Sequence, residues 1–249
     1  MKKLIAFVYV ALCGCQTIIV PSDFEYKEIQ TSTFKLAMWK KVTQPDKPYK
    51  FYIEGDGAAF RADGSVSYNP TPRGVMLRQI AYGDIYPNVI YLARPCQYVR
   101  DNMCKSEYWS TARFSDEVIQ AEYEAIKAIS AEHPVTLIGF SGGAQVAGLL
   151  AVRHPDIKVQ KLVTIAGNLD VKSWTDHHQL APLSLSDDLA KYQNEYAKFN
   201  QIHYVGVQDE NIVPYITENF VQDKTKIRYI KNASHNRGWE AVYEMIRAE

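Results

Sequence analysis

The sequence predicts an α/β protein with a mostly parallel central sheet and helices on both of its faces. Apolar runs rich in β-branched and aromatic residues alternate with stretches whose apolar residues recur at helical spacing. Such an alternation of strand and helix is typical of a parallel sheet that is covered on both sides. The chain has 249 residues, of which 47% are hydrophobic, and this is enough to bury one sizeable core.

The strands can be predicted in order along the chain. Two alternating segments, YKEIQTS and FKLAMWKKV, predict an antiparallel strand pair at the N-terminal end of the domain. The later strands are predicted at the apolar runs KFYIEG, NVIYLARP, VTLIGF, KLVTIAG, IHYVGVQ and KIRYIKN.

Capping residues indicate where several helices begin. Ser115, followed by two acidic residues, predicts a helix that ends near Pro134. Ser186 is also followed by two acidic residues and predicts a helix with the apolar face Leu189, Tyr192, Tyr196 and Phe199. A last helix is predicted on the apolar positions Trp239, Val242, Tyr243 and Ile246. The stretch 168–185 has no clear period and predicts a short excursion over the edge of the sheet.

The N-terminal segment MKKLIAFVYVALCGC has a short basic start and an apolar run too short to span a bilayer as a mature helix, which indicates an export signal. Its ending, Leu12 to Cys15, resembles the lipobox of bacterial lipoproteins. The resemblance implies cleavage after residue 14 and attachment of lipid, palmitate included, to Cys15. Because no aspartate follows Cys15, it also implies the outer membrane, with the domain facing the periplasm. The alternative is an ordinary signal peptide with a cysteine-rich end.

These features divide the chain into a signal peptide (1–14), a lipid-anchored tether (15–24) and a single domain (25–249). Basic and acidic residues balance at 28 each, so charge gives no reason to expect a nucleic-acid partner.

Apart from the lipidated Cys15, Cys96 and Cys104 are the cysteines that remain in the predicted exported part. An even pair in an oxidising compartment is most simply a disulfide. The alternative is half of a zinc site, which needs two more ligands, and no cysteine or histidine cluster lies nearby in sequence.

The segment LIGFSGG carries the motif Gly139-x-Ser141-x-Gly143. The motif follows the predicted strand VTLIGF and precedes AQVAGLLAV, which has helix formers and helical apolar spacing. A sharp turn from strand to helix needs small flanking residues and exposes its central serine. This context predicts that Ser141 is a nucleophile.

With this motif the chain resembles the α/β-hydrolases, whose catalytic acid and histidine follow the serine in that order. The resemblance implies the α/β-hydrolase fold with a short lid, and it implies that Ser141 is the nucleophile, Asp209 the orienting acid and His235 the general base. Asp209 comes directly after the strand IHYVGVQ, with Glu210 as the fallback, and His235 lies after the last predicted strand.

An oxyanion hole is expected from two backbone N–H groups. The N–H of Gly142, next to the nucleophile, is the first. The resemblance assigns the second to Asp56, because FYIEGDG occupies the place of the His-Gly motif of many relatives. The acidic side chains of Glu54 and Asp56 depart from that motif, and a plain glycine-aspartate turn is the alternative.

Together these features predict a membrane-anchored serine hydrolase that cleaves small or medium acyl esters through an acyl-enzyme, as a carboxylesterase does. The expected partners are a small-molecule acyl substrate and, through the lipid, the bacterial membrane. The chemistry requires no metal and no organic cofactor. The alternatives are a peptidase, amidase or thioesterase of the same fold, and a non-catalytic binding or scaffold lipoprotein. They stay open because a fold by itself does not establish a function.

Overall fold

The computed structural model describes residues 19–247. Within these residues, eight strands form one sheet in the order β1-β2-β4-β3-β5-β6-β7-β8. The strands are β1 (Glu25–Gln30), β2 (Lys35–Val42), β3 (Tyr49–Ile53), β4 (Asn88–Leu92), β5 (Val135–Phe140), β6 (Val159–Ile165), β7 (Gln201–Gly206) and β8 (Ile227–Ile230).

Strand β2 runs antiparallel to both of its neighbours, β1 and β4, and all the other neighbouring strands are parallel. The prediction of a mostly parallel sheet with an N-terminal antiparallel pair is confirmed. Because two reversals cancel, β1 runs in the same direction as β4 and β5. The chain therefore enters β1 from the side of the sheet where the parallel strands begin.

The helices are α1 (Met76–Gly83), α2 (Asp116–Ser130), α3 (Gly142–Arg153), α4 (Val171–His177), α5 (Gln193–Tyr196), α6 (Pro214–Phe220) and α7 (Glu240–Arg247). Short 3-10 turns lie at Ser106–Trp109, Leu189–Tyr192 and Lys224–Lys226. None of the helices within residues 19–247 is long and apolar enough to cross a membrane.

The core has two main parts, one on each face of the sheet. Alternate residues of a strand point to opposite faces, so Phe51 and Ile53 of β3 join the core that includes buried residues of α2 and α3. Tyr52, between them, joins the other core, which includes buried residues of α1 and α7. Helices therefore cover both faces, as predicted.

Helix α2 begins where the sequence predicted, with Ser115 at its N-cap position. The capping hydrogen bond itself is missing: the Ser115 hydroxyl is buried and finds no partner within the described part of the chain. The acidic residues Asp116 and Glu117 in the first turn still complement the helix dipole.

The helix predicted after Ser186 is wrong in extent. The chain forms one 3-10 turn and the single turn α5 instead of a continuous helix. The carboxylate of Asp188 accepts hydrogen bonds from Ala190 N, which caps the 3-10 turn, and also from Val171 N and Lys172 N at the start of α4. One side chain thus fixes two short segments to each other, and neither extends into a long helix.

The excursion predicted at 168–185 contains regular structure that the sequence reading missed. Helix α4 is capped by Asp170, whose side chain accepts from Ser173 N at 2.8 Å. Trp174 of α4 packs with Ile212 and Ile216 in a small cluster of buried residues. This cluster holds α4 beside the loop that follows β7.

The predicted signal peptide and Cys15 lie outside the described residues. Phe24, the last residue of the predicted tether, is buried, and its ring lies 4.9 Å from the ring of Tyr82.

Candidate active site

Ser141 sits on a sharp turn between β5 and α3. Its backbone angles are φ 51° and ψ −122°, a conformation that is rare and strained for a residue with a side chain. A Cβ added to Gly139 would lie 2.5 Å from the backbone of Ala144, and one added to Gly143 would lie 2.2 Å from Ile53 O. Both flanking glycines are therefore required for strand, turn and helix to approach this closely.

The structure brings together the three side chains that the sequence predicted to converge. His235 Nε2 lies 3.0 Å from Ser141 Oγ, and His235 Nδ1 lies 2.9 Å from Asp209 Oδ2. Ser141 and Asp209 are buried, whereas the His235 side chain is 17% exposed. A hydroxyl, an imidazole and a carboxylate thus form one hydrogen-bonded chain that is open to solvent at the imidazole.

Asp209 is held in place by the loop after β7. Its second oxygen, Oδ1, accepts from Asn211 N and Ile212 N, both at 2.9 Å. These bonds fix the carboxylate so that Oδ2 faces the imidazole. Glu210, the fallback acid, is exposed, and within residues 19–247 the ring of His235 bonds to Asp209 and Ser141.

His235 lies in a tight loop between β8 and α7. Gly238 has φ 83°, and a Cβ there would lie 2.3 Å from Asn232 O, so the loop needs a glycine at this position. The indole Nε1 of Trp239 donates to His235 O at 3.2 Å. On the other side, the ring of Phe140 lies 5.1 Å from the imidazole ring. Contacts to both the backbone carbonyl and the ring of His235 thus hold the imidazole in place.

The loop after β3 carries the predicted second oxyanion donor. Neither the Asp56 N–H nor the Gly142 N–H has a hydrogen-bond acceptor within the described residues. The carboxyl of Glu54 accepts from Gly55 N at 2.8 Å and from the Tyr91 hydroxyl, and burial raises its pKa. The carboxylate of Asp56 pairs with Arg113 at 2.7 Å. Both acidic side chains therefore have partners of their own.

A pocket of about 630 Å³ opens beside Ser141. We call it the main pocket; its lining includes Ser141, His235, Asp56, Phe60, Arg73, Arg113 and Trp174. A second, more open groove shares His235 and Asn236 with it and extends past Asp209 towards His177. Ser141 and His235 thus border the space that a bound molecule would occupy.

A buried charge network beside the main pocket was not predicted from the sequence. Arg94 Nη1 lies 3.6 Å from Asp56 Oδ1, and Arg94 Nε lies 3.6 Å from Glu122 Oε1. Arg94 Nη2 also donates to Arg113 O. Burial raises the pKa of Glu122 to about 8, although Arg94 acts to lower it. The available signal was Arg94 itself, which lies just after the apolar strand β4, at the edge where ligands bind in α/β sheets.

Cys96 and Cys104 form a disulfide, with their Cα atoms 5.5 Å apart. The thiols are therefore not available as half of a zinc site. Trp109, which follows this loop, is buried, and its Nε1 donates to Ser67 O at 2.9 Å. This bond ties the segment after the disulfide to the long connection between β3 and α1.

The fold of the chain is similar to that of several solved structures. The esterase Est1E from Butyrivibrio proteoclasticus is 13% identical, with a TM-score of 0.62, and the match covers 90% of this chain and 96% of that one. The esterase Pf2001 of Pyrococcus furiosus is 16% identical (TM-score 0.61; 90% and 87% covered). The thioesterase domain from the curacin biosynthetic pathway is 12% identical (TM-score 0.58; 90% and 98% covered).

No family model matches the sequence, and no curated protein matches it. The strand order, the helices on both faces and the likeness to these solved structures lead to one conclusion: the chain has the α/β-hydrolase fold.

Proposed function

We propose that the protein is a serine hydrolase that cleaves carboxylic acyl esters. The observation that carries the proposal is the hydrogen-bonded chain from Ser141 through His235 to Asp209, with the serine on a strained turn. An imidazole that touches a hydroxyl on one nitrogen and a buried carboxylate on the other is the arrangement that activates a serine nucleophile.

In the first stage, Ser141 Oγ attacks the carbonyl carbon of the ester while His235 Nε2 takes the hydroxyl proton. Asp209 holds the imidazole in the tautomer that carries its proton on Nδ1, and it stabilises the imidazolium that forms. His235 then gives the proton to the leaving alcohol, and the acyl group stays on Ser141.

In the second stage, a water molecule replaces the alcohol. His235 takes a proton from the water, the resulting hydroxide attacks the acyl-enzyme, and the proton returns to Ser141 as the acid leaves. In both stages the negative charge on the carbonyl oxygen is stabilised by the backbone N–H groups of Gly142 and Asp56. One such donor is typically worth about 3 kcal/mol in the transition state.

Labelling with a fluorophosphonate probe tests the nucleophile directly. We expect wild-type protein to be labelled, Ser141→Ala not to be labelled, and Ser184→Ala, which changes an exposed serine of the same chain, to be labelled like the wild type. Labelling that survives Ser141→Ala, or a folded wild type that is never labelled, would support a binding or scaffold protein instead.

The bond that is cleaved can be determined with a matched set of substrates. The solved structures whose fold is similar to that of this chain include esterases and a thioesterase. Oxygen esters, thioesters and amides with one common acyl chain should therefore be compared. We expect the highest kcat/KM for an oxygen ester. A clear preference for the thioester or the amide would replace the esterase proposal with a thioesterase or an amidase.

We also propose that the mature protein is lipid-anchored through Cys15 in the bacterial cell envelope, with the outer membrane as the expected location. The support is the sequence pattern of residues 1–15. Radiolabelled palmitate should be incorporated into the wild type and not into Cys15→Ser, with Cys13→Ser as the control. An exported protein that carries no label and fractionates as a soluble protein would favour an ordinary signal peptide.

A further inference from the structure

Arg113 is a buried arginine whose guanidinium forms part of the wall of the main pocket. It lies in the turn before α2, and 4% of the residue is exposed. An arginine is rarely buried unless its charge is paired. The partners of each guanidinium nitrogen therefore show how much of this group is satisfied within the protein.

Two of the three guanidinium nitrogens are occupied. Arg113 Nε donates to Ser110 O at 2.7 Å, and Nη1 donates to Asp56 Oδ2 at 2.7 Å. Within the described residues Nη2 has no hydrogen-bond partner, and it is not among the polar atoms sealed from solvent. The N–H groups of Nη2 are therefore available to donate to a ligand.

Two aromatic rings hold the guanidinium in this position. Its central carbon lies 5.3 Å from the centre of the Phe60 ring and 5.5 Å from the centre of the Trp174 ring, and both rings also line the main pocket. Stacking on rings leaves the edge of the planar guanidinium free to donate. The hydrogen bonds and the rings thus fix the donors before any ligand arrives.

A second arginine, Arg94, lies close to this group. Arg113 and Arg94 both lie beside the carboxylate of Asp56, at 2.7 Å and 3.6 Å. The other carboxyl in contact with Arg94 is that of Glu122, whose pKa burial raises to about 8. The two guanidinium groups thus share the carboxylate of Asp56, and burial raises the pKa of both other acidic groups near them, Glu122 and the pocket-lining Glu54. Arg73, which is exposed and forms no ion pair within the described residues, adds a further positive charge on the pocket lining.

We infer that Arg113 binds an anionic carboxylate or phosphate group of the substrate, so that the main pocket selects acyl esters that carry a second, negatively charged group. A planar guanidinium with free donors is suited to such oxygen anions. This inference rests on the proposed esterase activity and adds a substrate class to it.

Pairs of esters that differ in one charge provide the test. One series consists of p-nitrophenyl half-esters of dicarboxylic acids of increasing length, each compared with the ester whose far carboxylate is replaced by the uncharged amide. A second series places the charge in the alcohol half, and a third replaces the carboxylate by a phosphate. Because a hydrogen bond between charged groups is the interaction at stake, we expect kcat/KM to be roughly ten- to a hundredfold higher for the charged member of one pair.

The variants are designed so that the Asp56 carboxylate does not remain in place after losing its closer partner, Arg113. Arg113→Gln combined with Asp56→Asn removes both charges of the pair. Arg113→Lys keeps the positive charge but loses the planar guanidinium with its several N–H donors. We expect the ratio of kcat/KM between charged and uncharged esters to fall towards one in the double variant and part of the way in Arg113→Lys. Arg100→Gln is the matched control, because Arg100 also lies over a tryptophan ring, that of Trp109, but does not line the pocket.

A binding measurement separates this inference from the proposed activity. Free dicarboxylate should raise the melting temperature of Ser141→Ala, and the corresponding diamide should not, and the effect should vanish when the double variant is added to Ser141→Ala. Equal rates for charged and uncharged esters, in a protein that fluorophosphonate labels, would overturn the inference alone. Absence of labelling would overturn the esterase proposal, and the melting shift would then still decide whether Arg113 binds anions.

Discussion

The carboxylate of Asp56 lies directly against the backbone of Gly142: a Cβ added to Gly142 would be 2.2 Å from Asp56 Oδ1. The backbone N–H groups proposed to bind the oxyanion belong to these two residues. Their spacing therefore depends on the absence of a side chain at position 142.

We expect Gly142→Ala to fold but to lose most of its turnover. The added methyl group must displace Asp56, and removing one oxyanion donor typically costs about a hundred- to a thousandfold in kcat. Steady-state kinetics and a thermal melt would check this. Gly83→Ala is the control, because a Cβ there meets no atom within 4 Å. A folded Gly142→Ala with nearly normal kcat would rule out this pair of donors.

We expect Asp209→Asn to lose about four orders of magnitude in kcat while keeping its melting temperature close to that of the wild type. The amide would donate to His235 Nδ1 instead of accepting from it, and so would favour the wrong tautomer of the imidazole. The amide oxygen of the new side chain could still accept the bonds from Asn211 N and Ile212 N. Glu210→Gln, which changes the exposed neighbour, should retain full activity. Loss of activity in Glu210→Gln and not in Asp209→Asn would reverse the assignment of the acid.

Removing the Cys96–Cys104 disulfide should destabilise the fold without abolishing it. The bond closes a loop with a sequence separation of 8, for which the chain-entropy model gives roughly 2.5 kcal/mol. For a domain of this size, that corresponds to a decrease in melting temperature of about 5 to 10 °C. Calorimetry of Cys96→Ala/Cys104→Ala, with and without reducing agent, would measure it. Reducing agent should have no effect on the variant, and an unchanged melt of the wild type under reduction would contradict the prediction.

Glu122 should make stability decrease as pH rises through the neutral range. Burial raises its pKa from the usual 4.5 to about 8. Between these values the folded protein keeps a proton that the unfolded chain has lost, so the free energy of unfolding falls as pH increases.

Glu122→Gln replaces this titrating carboxyl by an amide that does not titrate. The melting temperature of the variant, relative to that of the wild type, should therefore rise between pH 5 and pH 8. Glu117→Gln, which changes an exposed residue of the same helix, should show no such trend. A constant difference between Glu122→Gln and the wild type would mean that Glu122 is ionised across the whole range.

Much of the sheet could be predicted because its signals are local. Each buried strand, such as Val135–Phe140, is an apolar run that can be recognised without knowledge of the rest of the chain. Asp209 and His235 were predicted from the resemblance to the α/β-hydrolases, which places the acid and the histidine just beyond two predicted strands. Helix α4 was missed although Asp170 is a favourable N-cap, because a helix this short shows too little periodicity.

The charge network could not be predicted from the sequence. Asp56, Arg94, Arg113 and Glu122 lie on different segments, and their contacts depend on how the loop after β3 and helix α2 pack around the end of β4. No spacing in the sequence relates an arginine to a carboxylate so far away. Interactions of this kind emerge only with the three-dimensional packing.

The direction of β1 has a consequence for how the proposed hydrolase would meet its substrate. The chain reaches Glu25 from the side where the parallel strands begin, whereas Ser141 follows the end of β5 on the opposite side. If Cys15 carries the proposed lipid and the domain rests on the membrane by the side at which the chain enters β1, Ser141 would face away from the bilayer. Water-borne esters, rather than lipids embedded in the supporting leaflet, would then be the molecules within reach.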